Sequence, residues 1–250
     1  MEPWNIKADD VREADFLPTF IIFCEDEVSE PVYFKYFETS KIKVNLVGGQ
    51  KSKLEHVAKA ITRCMSDDLM EIEEGVYRLK AEETHIWCVF DRDVEPQKQL
   101  QNLGNTSFDL AINTARASGI KVAWSNDAFE LWVLLHFEDV DPTDQSSRNR
   151  AAYYDRLTVI FGTLPNPNAD LAKILLRPDF QYKESLKHEN NFRNIVRSQM
   201  IVKTNDAVAR ARQLEALHAV SGAPTHRQAP CTMVHYLVEE LLKFGGKDLK

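Results

Sequence analysis

The chain has 250 residues, of which 44% are hydrophobic and 28% are charged, and its formal net charge is −7. These values exclude disordered, collagen-like and mucin-like proteins, and they predict one large domain or a core with a smaller addition. No apolar run approaches the ~20 residues of a membrane span, so we expect no membrane segment. An acidic chain is not typical of proteins that coat nucleic acid, but an enzyme could still reach nucleic acid through metal ions.

The negative charge is concentrated at the start of the chain. Residues 1–30 hold nine acidic and two basic side chains, which accounts for the whole excess. We predict that residues 1–16 form an acidic arm suited to a basic partner surface. The segment 171–203 is instead locally basic, with seven basic and three acidic residues.

The four cysteines form no CxxC pair, which argues against a zinc site built on them. Cys24 and Cys88 lie in apolar runs and are expected to be reduced core residues. The first residues show no apolar signal segment. These features together predict a cytoplasmic protein.

Strands and helices are predicted to alternate over the first part of the chain. Four apolar runs predict buried strands, namely 20–24, 44–47, 86–90 and 121–124. Helical spacing of apolar residues predicts helices after the first three runs, around 31–37, 54–65 and 108–115, and a deeply packed helix over 129–137. This order predicts a parallel α/β sheet with right-handed crossovers and flanking helices over residues 17–140.

The remainder of the chain, 141–250, shows no strand pattern. Helical spacing is found in five stretches, around 150–161, 169–176, 190–201, 205–219 and 233–244. Prolines separate several of these stretches. We therefore predict a helical C-terminal region that packs on the core.

Two acidic clusters follow predicted strands directly. Glu25-Asp26-Glu27 comes after the first strand, and Asp91-Arg92-Asp93 comes after the third. Because ligands bind beyond the carboxyl ends of parallel strands, both clusters should project from the same edge of the sheet. Clustered carboxylates suit Mg²⁺ or Mn²⁺, which could bridge a phosphodiester and activate water. Acids at these positions are also common as helix caps and loop residues, so this alternative stays open.

A glycine-rich loop, Gly48-Gly49-Gln50-Lys51-Ser52-Lys53, lies after the second strand. It lacks the GxxxxGK[ST] spacing and is therefore not a Walker A motif. If the protein works with ATP, we expect a partner to bind the nucleotide.

Several motifs resemble those of RloB-like proteins. The stretch CEDEVSEPVYF, from Cys24, is similar to the family's opening CEGxxTEPxYF, and Asp91-Arg92-Asp93 is similar to its DRD. The stretch SNDAFELWVLLHF, from Ser125, resembles its SNPxFELWxLLHF. Tyr182-Lys183 and Pro230-Cys231-Thr232 resemble weaker downstream signals.

The resemblance implies a Toprim-like fold in which Glu25, Asp91 and Asp93 hold a divalent metal ion. It also implies nucleic-acid cleavage in an anti-phage system, beside an ABC-type ATPase partner. Glu130 becomes a candidate metal ligand or general base, and Lys183 a candidate for neutralising a phosphate in the transition state. Asp26 departs from the family glycine and puts the local geometry in doubt, as do Asp127 and Ala128 in the proline-containing segment.

The resulting hypothesis is a metal-dependent endonuclease that acts on DNA or RNA, including tRNA, with Mg²⁺ or Mn²⁺ as cofactor. A homodimer is compatible with it. Two alternatives remain open at this point. One is a catalytically degenerate subunit that binds and regulates the ATPase. The other is an aspartyl-phosphate phosphatase of the haloacid-dehalogenase type, with Asp91 as nucleophile and Ser125 in a second motif.

Overall fold

A computed structural model of the protein describes residues 17–49, 53–80, 83–94 and 97–246. The predicted acidic arm, residues 1–16, lies outside the described residues. Within the described ranges, every helix is too short or too polar to span a lipid bilayer.

Four parallel strands form the central sheet. They are β1 (Thr19–Cys24), β2 (Lys43–Val47), β5 (Thr84–Asp91) and β6 (Lys121–Ser125), and they lie in the order β2-β1-β5-β6. Ile22 on β1 pairs with Leu46 on one side and Trp87 on the other. The apolar runs form these strands because both faces of the sheet are covered. The predicted parallel α/β sheet is confirmed.

Side chains of the sheet alternate between two hydrophobic clusters. On one face, Phe23 and Phe90 pack against α2 (Lys53–Ser66) and α3 (Lys98–Ala117). On the other face, Ile22 and Val89 pack against α1 (Ser29–Lys35), α4 (Glu130–Leu135) and the C-terminal helices. The strand period of two residues explains this division, because successive side chains point to opposite faces.

The C-terminal region is helical, as predicted. Its helices are α5 (Arg150–Gly162), α6 (Ala169–Leu175), α7 (Tyr182–Leu186), α8 (Glu189–Asn191), α9 (Arg197–Ile201), α10 (Thr204–Ala219) and α11 (Val234–Gly245). A π-helical turn, Phe192–Val196, joins α8 to α9. After residue 140, the described residues contribute only an isolated bridge between Ser125 and Thr232 to β structure.

Helix α4 is buried on all sides, as its apolar sequence predicts. Trp132 and His136 lie in the core, and the His136 ring bonds the Trp132 carbonyl oxygen through Nδ1 and the Tyr33 hydroxyl through Nε2. His136 is therefore a hydrogen-bonded core residue, in agreement with its apolar surroundings in the sequence. Burial lowers its pKa to about 3, so it stays neutral at ordinary pH.

Two elements were not predicted. An antiparallel hairpin, β3 (Met70–Glu73) and β4 (Val76–Leu79), occupies the acidic stretch after α2, and Glu74 and Gly75 both have positive φ at its turn. A tight hairpin turn requires this geometry, and the Glu-Gly pair is a weaker signal for it than Asn-Gly. Helix α7 spans only five residues, which is too short for helical periodicity to be seen.

Candidate metal and catalytic site

Glu25 and Asp91 meet at the carboxyl edge of the sheet. Their strands, β1 and β5, are neighbours, and Asp91 donates its backbone N–H to Glu25 Oε2 at 2.7 Å. The Asp91 carboxylate in turn accepts a bond from the Phe129 N–H at 2.9 Å, just before α4. One oxygen of each carboxylate is thus fixed by backbone, and the two predicted acids lie side by side.

Asp93 lies on the same side as Asp91, whereas Arg92 points away. Arg92 donates to the Asn105 and Asn126 side chains at 3.0 and 2.9 Å. Arg92 therefore anchors the loop after β5. Asp93 has a φ of 53°, in the left-handed region that residues other than glycine uncommonly adopt. Asp93 Oδ2 accepts a bond from Lys53 Nζ at 2.6 Å.

Arg150, at the start of α5, was not anticipated from the sequence. Its guanidinium bonds the Asp93 carboxylate and the Asp127 carbonyl oxygen, and it lies 3.7 Å from Asp91 Oδ2. A cation from the helical region therefore reaches the carboxylates of the sheet. Lys53, from the glycine-rich loop, provides a second cation, 3.9 Å from Glu25 Oε1.

Asp127 fixes the position of Arg150. It is 4% exposed and has a φ of 86°, which residues other than glycine rarely adopt. Its carboxylate accepts bonds from the Val94 N–H at 3.0 Å and the Arg150 N–H at 2.5 Å. The side chain thus ties the loop after β5 to the start of α5, in the segment that departs from the family's proline.

Changing Asp127 to alanine is expected to lower the free energy of unfolding by about 2–3 kcal/mol, because two partly buried N–H groups lose a charged acceptor. Urea denaturation measures the effect, with Asp155→Ala, an exposed position on α5, as the control. Equal losses for both variants would show that Asp127 contributes no more than a surface acid.

Glu130 lies inside the cavity and is 2% exposed. It forms a salt bridge with Lys187 at 2.6 Å, and Lys187 Nζ also donates to the Tyr154 hydroxyl at 3.4 Å. Burial opposes the charge of Lys187, but Glu130 outweighs it and raises the lysine pKa. Lys187 is therefore a fixed cation of the site.

Lys183 is placed differently. Its side chain is 59% exposed, its ion-pair partner is Glu184 at 3.9 Å, and it does not line the cavity. Its ammonium lies 5.9 Å from the centre of the Tyr154 ring. The structure thus brings Glu25, Asp91, Asp93 and Glu130 together but leaves Lys183 outside. The catalytic role of Lys183 stays a prediction that this position does not favour.

Asp26, which replaces the family glycine, does not use a positive φ. Its carboxylate accepts bonds from the N–H groups of Val28 and Ser29 at 3.0 and 3.1 Å, at the start of α1. Its own N–H donates to Glu30, which is 1% exposed. The Asp26 side chain therefore holds the turn at the start of α1.

These side chains line one cavity of about 170 Å³. Six of the lining residues are acidic and two are basic: Glu25, Asp26, Glu30, Asp91, Asp93 and Glu130 against Arg150 and Lys187. With Lys53 included, three cations face six carboxylates. The cavity is short of positive charge.

The pKa values of these carboxyl groups reflect their burial and their excess over the cations of the cavity. Burial raises the pKa of Glu25 to about 7, and Asp93 adds repulsion, although Lys53 acts in the opposite direction. Burial raises the pKa of Asp91 well above its usual range, and the Glu25 charge adds to the effect. Burial and then Asp91 do the same for Glu30. For Asp93, Lys53 and Arg150 outweigh the effect of burial and lower the pKa. For Asp26, Lys187 and the N–H groups of Val28 and Ser29 outweigh the effect of burial and also lower the pKa.

The donor set suits a hard divalent cation, since it consists of carboxylate oxygens and lacks positive charge. In the described part of the chain, however, no group of three or more His, Cys, Asp and Glu side chains stands ready to hold a metal ion. Lys53 and Arg150 already hold the Asp93 carboxylate. A metal ion would therefore have to displace these contacts in part.

A family model described as RloB-like protein matches residues 20–241. The chain belongs to the RloB-like protein family. No curated protein and no solved structure matches it. The RloB-like match covers almost all of the sheet and the helical region, including every residue that lines the cavity.

In this RloB-like protein, sequence reasoning missed three cations and one acid of the site. Lys53 belongs to the glycine-rich loop after the second strand, and Lys187 belongs to the basic segment 171–203. Glu30 was visible inside the opening motif. Arg150 had no local signal, since it is 57 residues from its partner Asp93.

Proposed function

We propose that this protein is a metal-dependent endonuclease that hydrolyses phosphodiester bonds. The observation that carries the proposal is the cavity at the carboxyl edge of the sheet, where buried carboxylates outnumber cations. Glu25, Asp91 and Asp93 would hold Mg²⁺ or Mn²⁺, and Glu130 lies close enough to the same cavity to assist. The bound metal would supply an activated water and neutralise charge on the phosphate.

The cations of the cavity have a separate role in this proposal. Lys187 is held between Glu130 and Tyr154, and Arg150 is held by Asp127 and Asp93. Both are positioned before substrate arrives, which is the condition for effective electrostatic stabilisation. A phosphate group in the cavity would meet positive charge from these two side chains.

The biological setting is proposed from family resemblance. The endonuclease would be the effector of an anti-phage system in the cytoplasm, together with an ABC-type ATPase. DNA and RNA, including tRNA, are both substrate candidates. Residues 1–16 carry acidic charge suited to a basic surface of the ATPase.

The test is hydrolysis of tRNA, single-stranded RNA, and single- and double-stranded DNA by the full chain, with and without the partner ATPase. Cleavage is expected with Mg²⁺ or Mn²⁺ and none with EDTA. The Glu25→Gln variant separates true activity from a contaminating nuclease, because it should lose cleavage while remaining folded. Cleavage that persists in that variant would refute the assignment.

The contacts of Asp93 favour a second candidate. Because Lys53 and Arg150 already neutralise this carboxylate, the same cavity could serve as a structural ion network in a subunit that regulates the ATPase. Melting curves distinguish the two: a metal-binding site predicts a melting temperature that rises with Mn²⁺ concentration, and a structural network predicts no change.

The phosphatase alternative receives less support. Its second motif would need the Ser125 hydroxyl at the site, but this side chain is 1% exposed and bonds the Thr232 hydroxyl at 3.0 Å. The Ser125 hydroxyl therefore stabilises the contact between β6 and the segment before α11.

A further inference from the structure

A second groove lies on the other side of the turn at residues 26–27. It has a volume of about 270 Å³, and its charged lining residues are Glu27, Lys35, Glu189, Arg193 and Arg197. The carboxylate cavity is lined by Asp26 and Lys187, which lie one and two residues from members of this set. The groove therefore adjoins the proposed catalytic site, but it carries an excess of positive charge.

Arg193 and Arg197 stand one helical turn apart at this groove. Like charges at this spacing repel each other, and the arrangement costs stability. Arg193 has an ion-pair partner in Glu189. Arg197 has no carboxylate partner among the salt bridges of the described residues. Its positive charge is left for another ligand.

The position of Arg197 is nevertheless fixed. Its Nη1 donates to the Val32 carbonyl oxygen at 3.2 Å, and its guanidinium lies 5.7 Å from the centre of the Tyr36 ring. Val32 lies on α1, which follows directly from the turn that carries Glu25 and Asp26. The guanidinium is thus held at a set place relative to the proposed catalytic carboxylates.

The backbone at these arginines is also unusual. Residues Phe192–Val196 form a π-helical turn inside an otherwise α-helical stretch. Such turns are rare and occur frequently at functional sites, because the extra residue re-aims the side chains around it. Here it lies between α8 and α9, at the helical stretch that carries both arginines.

We propose that this groove binds the backbone phosphates of a single nucleic-acid strand on the way to the carboxylate cavity, through Arg193 and Arg197. The proposal rests on the endonuclease function and adds the path of the strand. Such phosphate contacts would position the strand without reading its sequence.

The test is binding of labelled oligo(dT) and oligo(rU) to the full chain in EDTA, over a range of salt concentrations. The double variant Arg193→Gln/Arg197→Gln is expected to bind about tenfold more weakly at low salt. The slope of log affinity against log salt should fall by about 0.7 for each arginine that contacts a phosphate of a single strand. Arg197→Lys should keep most of the slope but lose affinity, because lysine lacks the planar guanidinium.

Arg63→Gln is the matched control. Arg63 forms the same i,i+4 ion pair, with Asp67, on helix α2, and it is not a lining residue of either cavity. The Arg63→Gln variant should bind oligo(dT) and oligo(rU) with wild-type affinity. Thermal unfolding checks that the double variant is folded. If the double variant is unfolded, the single variant Arg193→Gln, at an exposed position, is tested in its place.

The outcomes separate the groove from the endonuclease function. Wild-type affinity and salt slope in the folded double variant would overturn the groove even if the enzyme cleaves nucleic acid. An equal loss of affinity in the Arg63→Gln control would also overturn the proposed groove. So would a wild-type protein that binds neither oligo(dT) nor oligo(rU). Groove-dependent binding without cleavage under any metal condition would leave the groove standing and refute the endonuclease.

Discussion

Changing Asp91 to asparagine is expected to lower metal-dependent cleavage at least about a hundredfold while leaving the protein folded. The asparagine oxygen can still accept the Phe129 N–H, so the backbone contact at the start of α4 is kept. Burial and the Glu25 charge already oppose ionisation of the Asp91 carboxyl. Asparagine carries no charge at this position. The variant should therefore be at least as stable as the wild type without metal.

Cleavage rates and melting temperatures measure the two parts of this prediction. The rise in melting temperature with Mn²⁺ should be strongly reduced in D91N, because the site has lost a charged ligand. Asp155→Asn, exposed on α5, serves as the control for loss of one acid. If D91N cleaves at the wild-type rate, Asp91 holds no catalytic metal.

Changing Lys187 to methionine is expected to lower both the free energy of unfolding and the cleavage rate. It removes the cation that faces Glu130, whose side chain is 3% exposed, and a buried charge without its partner costs about 3 kcal/mol. The rate should also fall by about a hundredfold, because a fixed positive group is lost at the phosphate position. Urea denaturation and single-turnover cleavage measure the two effects.

Two further variants make this prediction specific. Lys187→Met combined with Glu130→Gln should recover most of the stability, since Glu130 no longer carries a charge that lacks its partner, but not the rate. Lys183→Met should change both quantities little, because its ammonium is exposed outside the cavity. If Lys183→Met lost the rate and Lys187→Met did not, the lysine predicted from the sequence would be the functional one.

The sheet and its acids could be predicted because their signals are local. Apolar runs identify the strands, and Glu25 and Asp91 sit at the strand ends. Parallel topology then brings these residues together without further information. Asp93 belongs to the same local cluster as Asp91. The resemblance to RloB-like proteins added Glu130, and the structure places Asp93 and Glu130 in the same cavity.

The cations could not be predicted in this way. Lys183 and Lys187 lie four residues apart in the same basic segment. Lys183 lies within α7, whereas Lys187 follows its last residue, Leu186, and pairs with Glu130. Arg150 reaches Asp93 through a long-range contact, and Asp127 holds Arg150 by accepting its backbone N–H. Such contacts depend on how helices pack on the sheet, and no residue pattern encodes them.

The contribution of Lys187 to the cavity has a consequence for synthesis of the protein on the ribosome. A nascent chain that ends after α4 already contains Glu25, Asp91, Asp93 and Glu130, but it has neither Arg150 nor Lys187. Of the three cations described at the site, such a chain contains Lys53 alone. The complete cavity therefore forms only after about three quarters of the chain has been made. A truncated translation product would carry the proposed metal ligands without the complete site.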